Sequence, residues 1–493
     1  MPVDALVSEV HSMIERSLLV AAVGCLVAFA ISTPVYATSR AFVPTPNIVV
    51  IMTDDQDDLG SLDTMLYTQK LLVEEGVRLT NSFVQMSICL TSRASFHTGQ
   101  SAHNHLVSGS YATFAPRENN SLGVWLQQAG YTTALMGKFM NGYGESDPTH
   151  IVPGWNEWDA AIEPMGYFDY SLNENGVVKT YGLTDEEYQT DVLTKKGVAF
   201  ITKQARMSTP FFLLLSPIAP HGAPARPPSA IPAPRHAGSF DNLNFVMRPN
   251  FNEPSVSDKP GFVSALLSLD PDAIALSIYK FRKRRETLLA VDEMVRDIVG
   301  ALQINRLMGK TYVIFTSDNG LMQGEHRLGG KLVLYEESIR VPFVIRGPSV
   351  SHNQVRTQLA TNLDLTATIL ALAGATPGNA IDGRSLLPVI QFPAGKWRSA
   401  FGYQGWHTLN TPPRLNFDAI RSKNYIFGKL VSEQYGVEEE FYDLTTDPYE
   451  MTNRARDARC TTVVNFLRSA LVNLSVCAGS SCWMTAEPPS SCQ

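Results

Sequence analysis

The sequence predicts an α/β protein: a large, mostly parallel central sheet followed by a smaller, largely antiparallel α+β domain. Three observations carry this expectation. Short continuous apolar runs such as Ile48-Val49-Val50-Ile51-Met52 recur through much of the chain and read as strands buried on both faces. Longer amphipathic stretches separate them, as helices covering a parallel sheet would. After Asp382-Gly383-Arg384-Ser385 that alternation gives way to short runs with hairpin spacing.

Taken in order, the chain opens with an export signal. Leu18 to Ile31 is an unbroken run of apolar or small residues, too short to span a bilayer comfortably. Val35-Tyr36-Ala37 follows with small residues where a signal peptidase cuts, so residues 1–37 are expected to be a signal peptide. Four strands come next, each ending in a polar or ionisable group. Asn47 to Met52 ends at Asp54-Asp55, and Thr132 to Met136 runs into Gly137-Lys138. Phe211 to Leu215 runs towards Pro220-His221, and Tyr312 to Phe315 into Asp318-Asn319. Ligands of open parallel sheets sit beyond the carboxyl ends of the strands, so four such ends delivering ionisable groups make a candidate site.

Between the strands, Cys89 to Gly99 reads as a loop entering a short helix that stops at Gly99. Leu288, Val291, Val295, Ile298 and Leu302 mark the core face of a longer helix. The basic run Lys280 to Arg285 lies on that same helix and is expected to be a solvated face. Gly222 to Gly238, rich in Pro and Ala, is expected to be an irregular loop bordering the site. In the C-terminal region Ala419 to Phe427 reads as a hairpin and Glu440 to Leu444 as another strand. The expected division is residues 46–390 for the main domain and 391–493 for the antiparallel one.

Composition sets the class. A hydrophobic fraction of 44% and a charged fraction of 18% are those of a globular protein. The net charge of −7 supplies no basic field for nucleic acid, and no stable membrane contact is expected. Four of the six cysteines, Cys460, Cys477, Cys482 and Cys492, crowd the C-terminus, which suggests two disulfides and an oxidising compartment. Three pairings are open; Cys477 with Cys482 is favoured because the intervening Ala-Gly-Ser-Ser can turn tightly. Asn119 and Asn473 stand in glycosylation motifs. Secretion, or delivery to a periplasm, cell wall or lysosome-like compartment, is the expectation.

Asp54, Asp55, Asp318 and Asn319 are hard oxygen donors gathered at one sheet edge, which suits Ca²⁺, or Mg²⁺, rather than zinc. Asp57 and Asp58 are read as surface loop residues, and His103 and His105 as structural.

Cys89-Leu90-Thr91-Ser92-Arg93 followed by Ala94-Ser95-Phe96-His97-Thr98-Gly99 resembles the signature of the formylglycine-dependent sulfatases. Thr53-Asp54-Asp55-Gln56 and Ser317-Asp318-Asn319-Gly320 resemble their two metal motifs, Gly137-Lys138 and Gly330-Lys331 their lysine motifs, and Pro220-His221 their histidine motif. Within that family the N-acetylglucosamine-6-sulfatases and related arylsulfatases are the nearest likeness. The resemblance implies an alkaline-phosphatase-like sandwich and hydrolysis of aryl or sugar sulfate esters. It implies that Cys89 is oxidised to formylglycine by a formylglycine-generating enzyme, its hydrate attacking sulfur and later expelling sulfate by elimination. It implies Asp54, Asp55, Cys89, Asp318 and Asn319 as metal ligands, with Arg93, Lys138 and Lys331 offsetting sulfate charge and His221 protonating the leaving oxygen. Two departures stand out: Thr91 replaces the usual Pro of the signature, and Met140 stands where many arylsulfatases have His. His326 is a candidate to assist the elimination in its place. The alternatives are a phosphoester or phosphonate hydrolase on the same scaffold, and an inactive secreted binding protein if Cys89 stays a thiol.

Overall fold

Ten strands form one sheet in this computed structural model, ordered Gln354–Arg356, Val77–Leu79, Phe343–Arg346, Thr311–Ser317, Asn47–Thr53, Phe211–Ser216, Thr132–Gly137, Glu157–Ile162, Tyr170–Glu174 and Val177–Tyr181. The structure describes residues 45–224, 226–392, 395–406, 415–490 and 492; the expected signal peptide lies outside them. The five strands from Thr311–Ser317 to Glu157–Ile162 pair in parallel, and antiparallel pairings flank them on both sides.

Side-chain alternation explains why the central strands read as continuous apolar runs. Ile48, Val50 and Met52 pack into one core with Leu90, Phe96, Trp125 and Ile369. Val49 and Ile51 pack into the other with Leu193, Leu288, Val291 and Ile298. Successive strand residues point to opposite faces, so a strand covered on both sides shows no polar alternation. Helices Cys89–Thr98, Leu122–Gln128 and Asn362–Ala373 supply one covering layer, and Gln189–Gln204 and Pro271–Ile304 the other.

The C-terminal sheet is a four-stranded antiparallel meander, Ala400–Trp406, Leu415–Ser422, Tyr425–Ser432 and Gly436–Asp443. Helix Thr461–Leu474 packs on one face through Val463, Val464 and Leu467, while Tyr403, Phe417 and Tyr442 on the other meet Leu334 and Tyr335. Cys477 pairs with Cys482, the favoured pairing, and Cys460 with Cys492. Asn119 and Asn473 are both exposed. Among the described residues no helix is long and apolar enough to cross a membrane.

Two sequence expectations are corrected here. The basic run is not a solvated face throughout: Arg284 and Arg285 are buried. They stand on the core side because Arg284 lies four residues before Leu288 and seven before Val291, on the same helical stripe. Asp57 and Asp58 are also buried. Asp58 accepts from Arg78 Nη2 at 2.9 Å, and burial pushes its pKa up to about 6. The loop carrying both turns inward under the sheet edge instead of out to solvent.

Candidate active site

The predicted residues meet at the carboxyl edge of the parallel strands. Asp54 and Asp55 follow Asn47–Thr53, Lys138 follows Thr132–Gly137, His221 lies beyond Phe211–Ser216, and Asp318 and Asn319 follow Thr311–Ser317. Backbone bonds fix their depth. Asp54 N–H donates to Ala219 O at 3.1 Å, Asp318 N–H to Thr53 O at 3.1 Å and Lys138 N–H to Ser216 O at 2.8 Å. Two backbone conformations aim the side chains. Asp55 takes a left-handed φ of 69°, which aspartate tolerates better than most residues. Gly137 has φ 103°, and a Cβ there would sit 2.2 Å from Ser216 O, so only glycine lets this strand turn sharply into Lys138.

Cys89 opens helix Cys89–Thr98, whose C-cap is Gly99 in the left-handed region. Its sulfur lies 3.2 Å from Asp54 Oδ1 and 3.8 Å from Asp55 Oδ1, and Lys331 Nζ approaches it to 2.6 Å. Arg93, one turn on, donates from Nε to Asp318 Oδ2 at 2.8 Å and from Nη1 to Lys138 O and Ser216 Oγ. Its Nη2 is buried with no partner. Lys138 Nζ donates to Asp54 Oδ2 at 2.5 Å, and Lys331 Nζ donates to Asp55 Oδ1. Asn319 Nδ2 donates to Asp55 Oδ1 at 2.6 Å while its Oδ1 is buried and unpartnered.

Three carboxylates therefore face three cations in a desolvated space. Burial alone would raise the pKa of Asp54, but Lys138, His221, Arg93 and Lys331 together hold it well below the usual carboxylate value. At Asp318 burial and the neighbouring Asp54 outweigh Arg93, and the pKa rises. Burial and then Asp54 also push the Cys89 thiol far up, so the unmodified side chain is a poor nucleophile. The donor set fits a hard divalent ion. Ligand atoms of Asp54, Asp55, Cys89 and Asp318 lie within 4.8 Å of one another, and the orphaned Asn319 Oδ1 is a further oxygen ready to coordinate.

His221 is the most open member, its side chain 35% exposed, with Nε2 3.7 Å from Asp55 Oδ2. Its Nδ1 contacts Gly222 O at 2.6 Å, and Tyr167 Oη donates to His221 O at 2.7 Å. The loop after it lines the site as expected: Gly222, Ala223, Pro228 and Ser229 share one cavity wall with Asp55 and His221.

Other readings resolve as follows. The Thr91 hydroxyl donates to Val107 O at 3.1 Å, inside the helix packing and not towards the sulfur. His103 bonds Gln404 and Cys477 O, and His105 bonds Ser95 and the Val107 N–H, both structural roles. Met140 is buried among apolar side chains. His326 is buried with Nδ1 2.6 Å from Glu253 Oε2, its ring stacked on Tyr335 and its other nitrogen nearest Asn250. Neither ring nitrogen is turned to Cys89.

Arg284 is a residue bordering the site that the sequence reading took for a solvated one. Its Nη2 donates to Asp55 O at 2.6 Å and its Nη1 to Pro220 O at 3.2 Å. One guanidinium thus ties the acidic loop to the histidine loop. Its helical register with Leu288 was the available signal.

Comparison with known proteins agrees with this geometry. A family model described as Sulfatase matches residues 46–375, and one described as N-sulphoglucosamine sulphohydrolase, C-terminal, matches residues 324–476. The N-acetylglucosamine-6-sulfatase of Capra hircus is 31% identical over 89% of this chain and 84% of its own length. A Sulf-1 homolog of Caenorhabditis elegans is 34% identical over 76% of this chain, which spans about half of that relative, 53% of its length. A solved structure described as a complex with its substrate D-glucosamine-2-N,6-O-disulfate superposes with TM-score 0.71 at 23% identity, covering 87% of this chain and 97% of the other.

Proposed function

The chain belongs to the sulfatase family of sulfuric ester hydrolases, and on that premise we propose that it cleaves sulfate esters of sugars or phenols at Cys89. The observation that carries the reading is the position of the Cys89 sulfur. It is buried at the start of a helix, among Asp54, Asp55 and Lys331, with Arg93 one turn away. Oxidised to formylglycine, Cys89 supplies a hydrated aldehyde whose oxygen attacks sulfur and whose second hydroxyl permits release of sulfate. Asp54, Asp55, Asp318, Asn319 and the modified residue 89 would hold one divalent ion, calcium in preference to magnesium, whose chemistry when bound is to lower the hydrate's pKa and offset sulfate charge.

The chain's own residues do the rest. Lys138 and Lys331 reach into the cluster from two loops and neutralise sulfate oxygens as charge builds. Arg93 orients residue 89, and its free Nη2 is a donor for an anion. His221 Nε2 carries the proton that the departing alcohol oxygen takes, from the open side where a leaving group has room. Residues 46–390 form the catalytic domain and 391–493 the C-terminal domain in this reading. Secretion, with removal of residues 1–37, agrees with the two disulfides.

The test is hydrolysis of nitrocatechol sulfate by the mature protein and by Cys89→Ala. Wild type should turn over and lose activity on chelation, regaining it with calcium. Cys89→Ala should be inactive with an unchanged thermal midpoint. Undiminished activity in that variant would contradict the reading.

A further inference from the structure

A second group of potential metal ligands shares no residue with the first. His326 comes from the turn between Met322–Gln323 and Gly329–Gly330, and Glu337 from helix Glu336–Ile339. Glu450 comes from the turn beyond Gly436–Asp443, the last strand of the C-terminal sheet. All three are buried, and one ligand atom from each lies within 4.8 Å of the others. Asn250 and Glu253, also buried, pack against them.

The hydrogen bonds here leave open the lone pairs a cation needs. His326 Nδ1 is 2.6 Å from Glu253 Oε2. A carboxylate only accepts, so Nδ1 carries the proton and Nε2 keeps its lone pair, with Asn250 Nδ2 at 3.5 Å. A carboxylate behind one ring nitrogen is how metal-binding imidazoles are held. Glu337 Oε1 accepts from Asn250 Nδ2 at 2.9 Å, and Glu450 Oε2 from the Glu336 N–H at 3.3 Å. The other oxygen of each, Glu337 Oε2 and Glu450 Oε1, is buried without a partner among the described residues, as is Asn250 Oδ1. Neighbouring cations are engaged elsewhere. Lys259 Nζ lies 3.4 Å from Glu253 Oε1 and donates to the carbonyls of Glu450 and Met451, and Arg421 Nε meets Glu336 Oε1 at 2.6 Å. Two desolvated carboxylates with open oxygens are costly unless a cation joins them.

We propose that His326, Glu337 and Glu450 bind one divalent transition-metal ion, with zinc matched to one imidazole nitrogen and two carboxylate oxygens. Its two positive charges balance the two glutamates, while Lys259 offsets Glu253. The ion is structural: its ligands are buried, and it ties the turn after the C-terminal sheet to two loops of the main sheet. Glu337 also lines a cavity of about 300 Å³, which gives the ion a way in. This site is separate from sulfate ester hydrolysis and does not rest on it.

The experiment measures zinc bound to the full-length mature protein at neutral pH, after equilibration with zinc chloride and removal of free ion, with calcium present throughout. Wild type should retain one zinc per chain. Added zinc should raise its thermal midpoint by about 2 to 5 °C over a chelated, calcium-restored sample. Glu337→Gln and Glu450→Gln keep the side-chain shape and remove one charge each, so both should fold. Each should retain less than about a tenth of that zinc, with a midpoint that zinc does not move. Cys89→Ala, altered in the other cluster, should retain it in full. A wild type that holds no zinc, and whose midpoint zinc leaves unmoved, would overturn the inference and leave the two carboxyls to share a proton. Zinc retained equally by wild type and both glutamine variants, or lost with Cys89→Ala, would place the ion elsewhere and overturn it too.

Discussion

Glu440 shows how one buried side chain sets a pH response. It is fully buried on the C-terminal sheet and accepts from Tyr335 Oη at 2.8 Å and Tyr442 Oη at 2.5 Å. Burial pushes its pKa from 4.5 to about 7. The folded chain therefore keeps a proton that the unfolded chain has already lost, so stability falls as pH rises from about 4.5 to 7 and is level above that. The loss is on the order of 3 kcal/mol. Glu440→Gln keeps an acceptor for both phenols and removes the titration. Thermal midpoints of variant and wild type should run together near the acid end of that window and separate above it, the variant higher by a few degrees. Parallel curves, or a lower variant at neutral pH, would contradict this account. At the same scale, inward aim was the least legible property in the sequence. Lys138 and Lys331 look like solvated lysines until their partners Asp54 and Asp55, far away in the chain, are brought beside them.

Helix Pro271–Ile304 shows what an element contributes. Asp270 caps it, accepting from Ala273 N–H at 2.8 Å, and Pro271 starts it. Its apolar stripe, Leu288, Val291, Val295, Ile298 and Leu302, was legible because packing on a sheet demands helical spacing. The same stripe carries Arg284 to the site, where a charged residue was read as solvated because charge usually goes outward. Arg284→Ala removes the bridge between Asp55 O and Pro220 O. The two loops keep the Asp54 N–H to Ala219 O bond but lose the tie nearest the metal ligands, so kcat/KM on an aryl sulfate should fall by about ten- to a hundredfold, with weaker metal retention. Far-UV circular dichroism should be unchanged. Activity within twofold of wild type would show that the loops hold themselves. The elements the sequence hid are the sheet's flanks. In Val177–Tyr181 the first four residues are exposed, so no buried run announces that strand. Val77–Leu79 and Gln354–Arg356 are three residues each, too short for a pattern to register.

For the whole molecule, the class of architecture was legible and the strand order was not. Asn47–Thr53 lies between Phe211–Ser216 and Thr311–Ser317, pairings across long stretches of chain that no local pattern encodes. The site was legible for the opposite reason: its residues sit at strand ends, and strand ends of a parallel sheet meet at one edge wherever the order places them. The same convergence brings Cys89 to three carboxylates and makes its thiol a poor nucleophile, because burial and Asp54 both oppose the thiolate. In the proposed reading catalysis at this position depends on the conversion of residue 89, and Thr91 stands where the resemblance expects the proline of the conversion signature. The direct measurement is the mass of the proteolytic peptide containing Cys89, from protein expressed with a formylglycine-generating enzyme, beside the specific activity of the same preparation. The account predicts an aldehyde-bearing peptide, its fraction rising in proportion to activity across preparations. A peptide carrying only the thiol in a fully active preparation would contradict it.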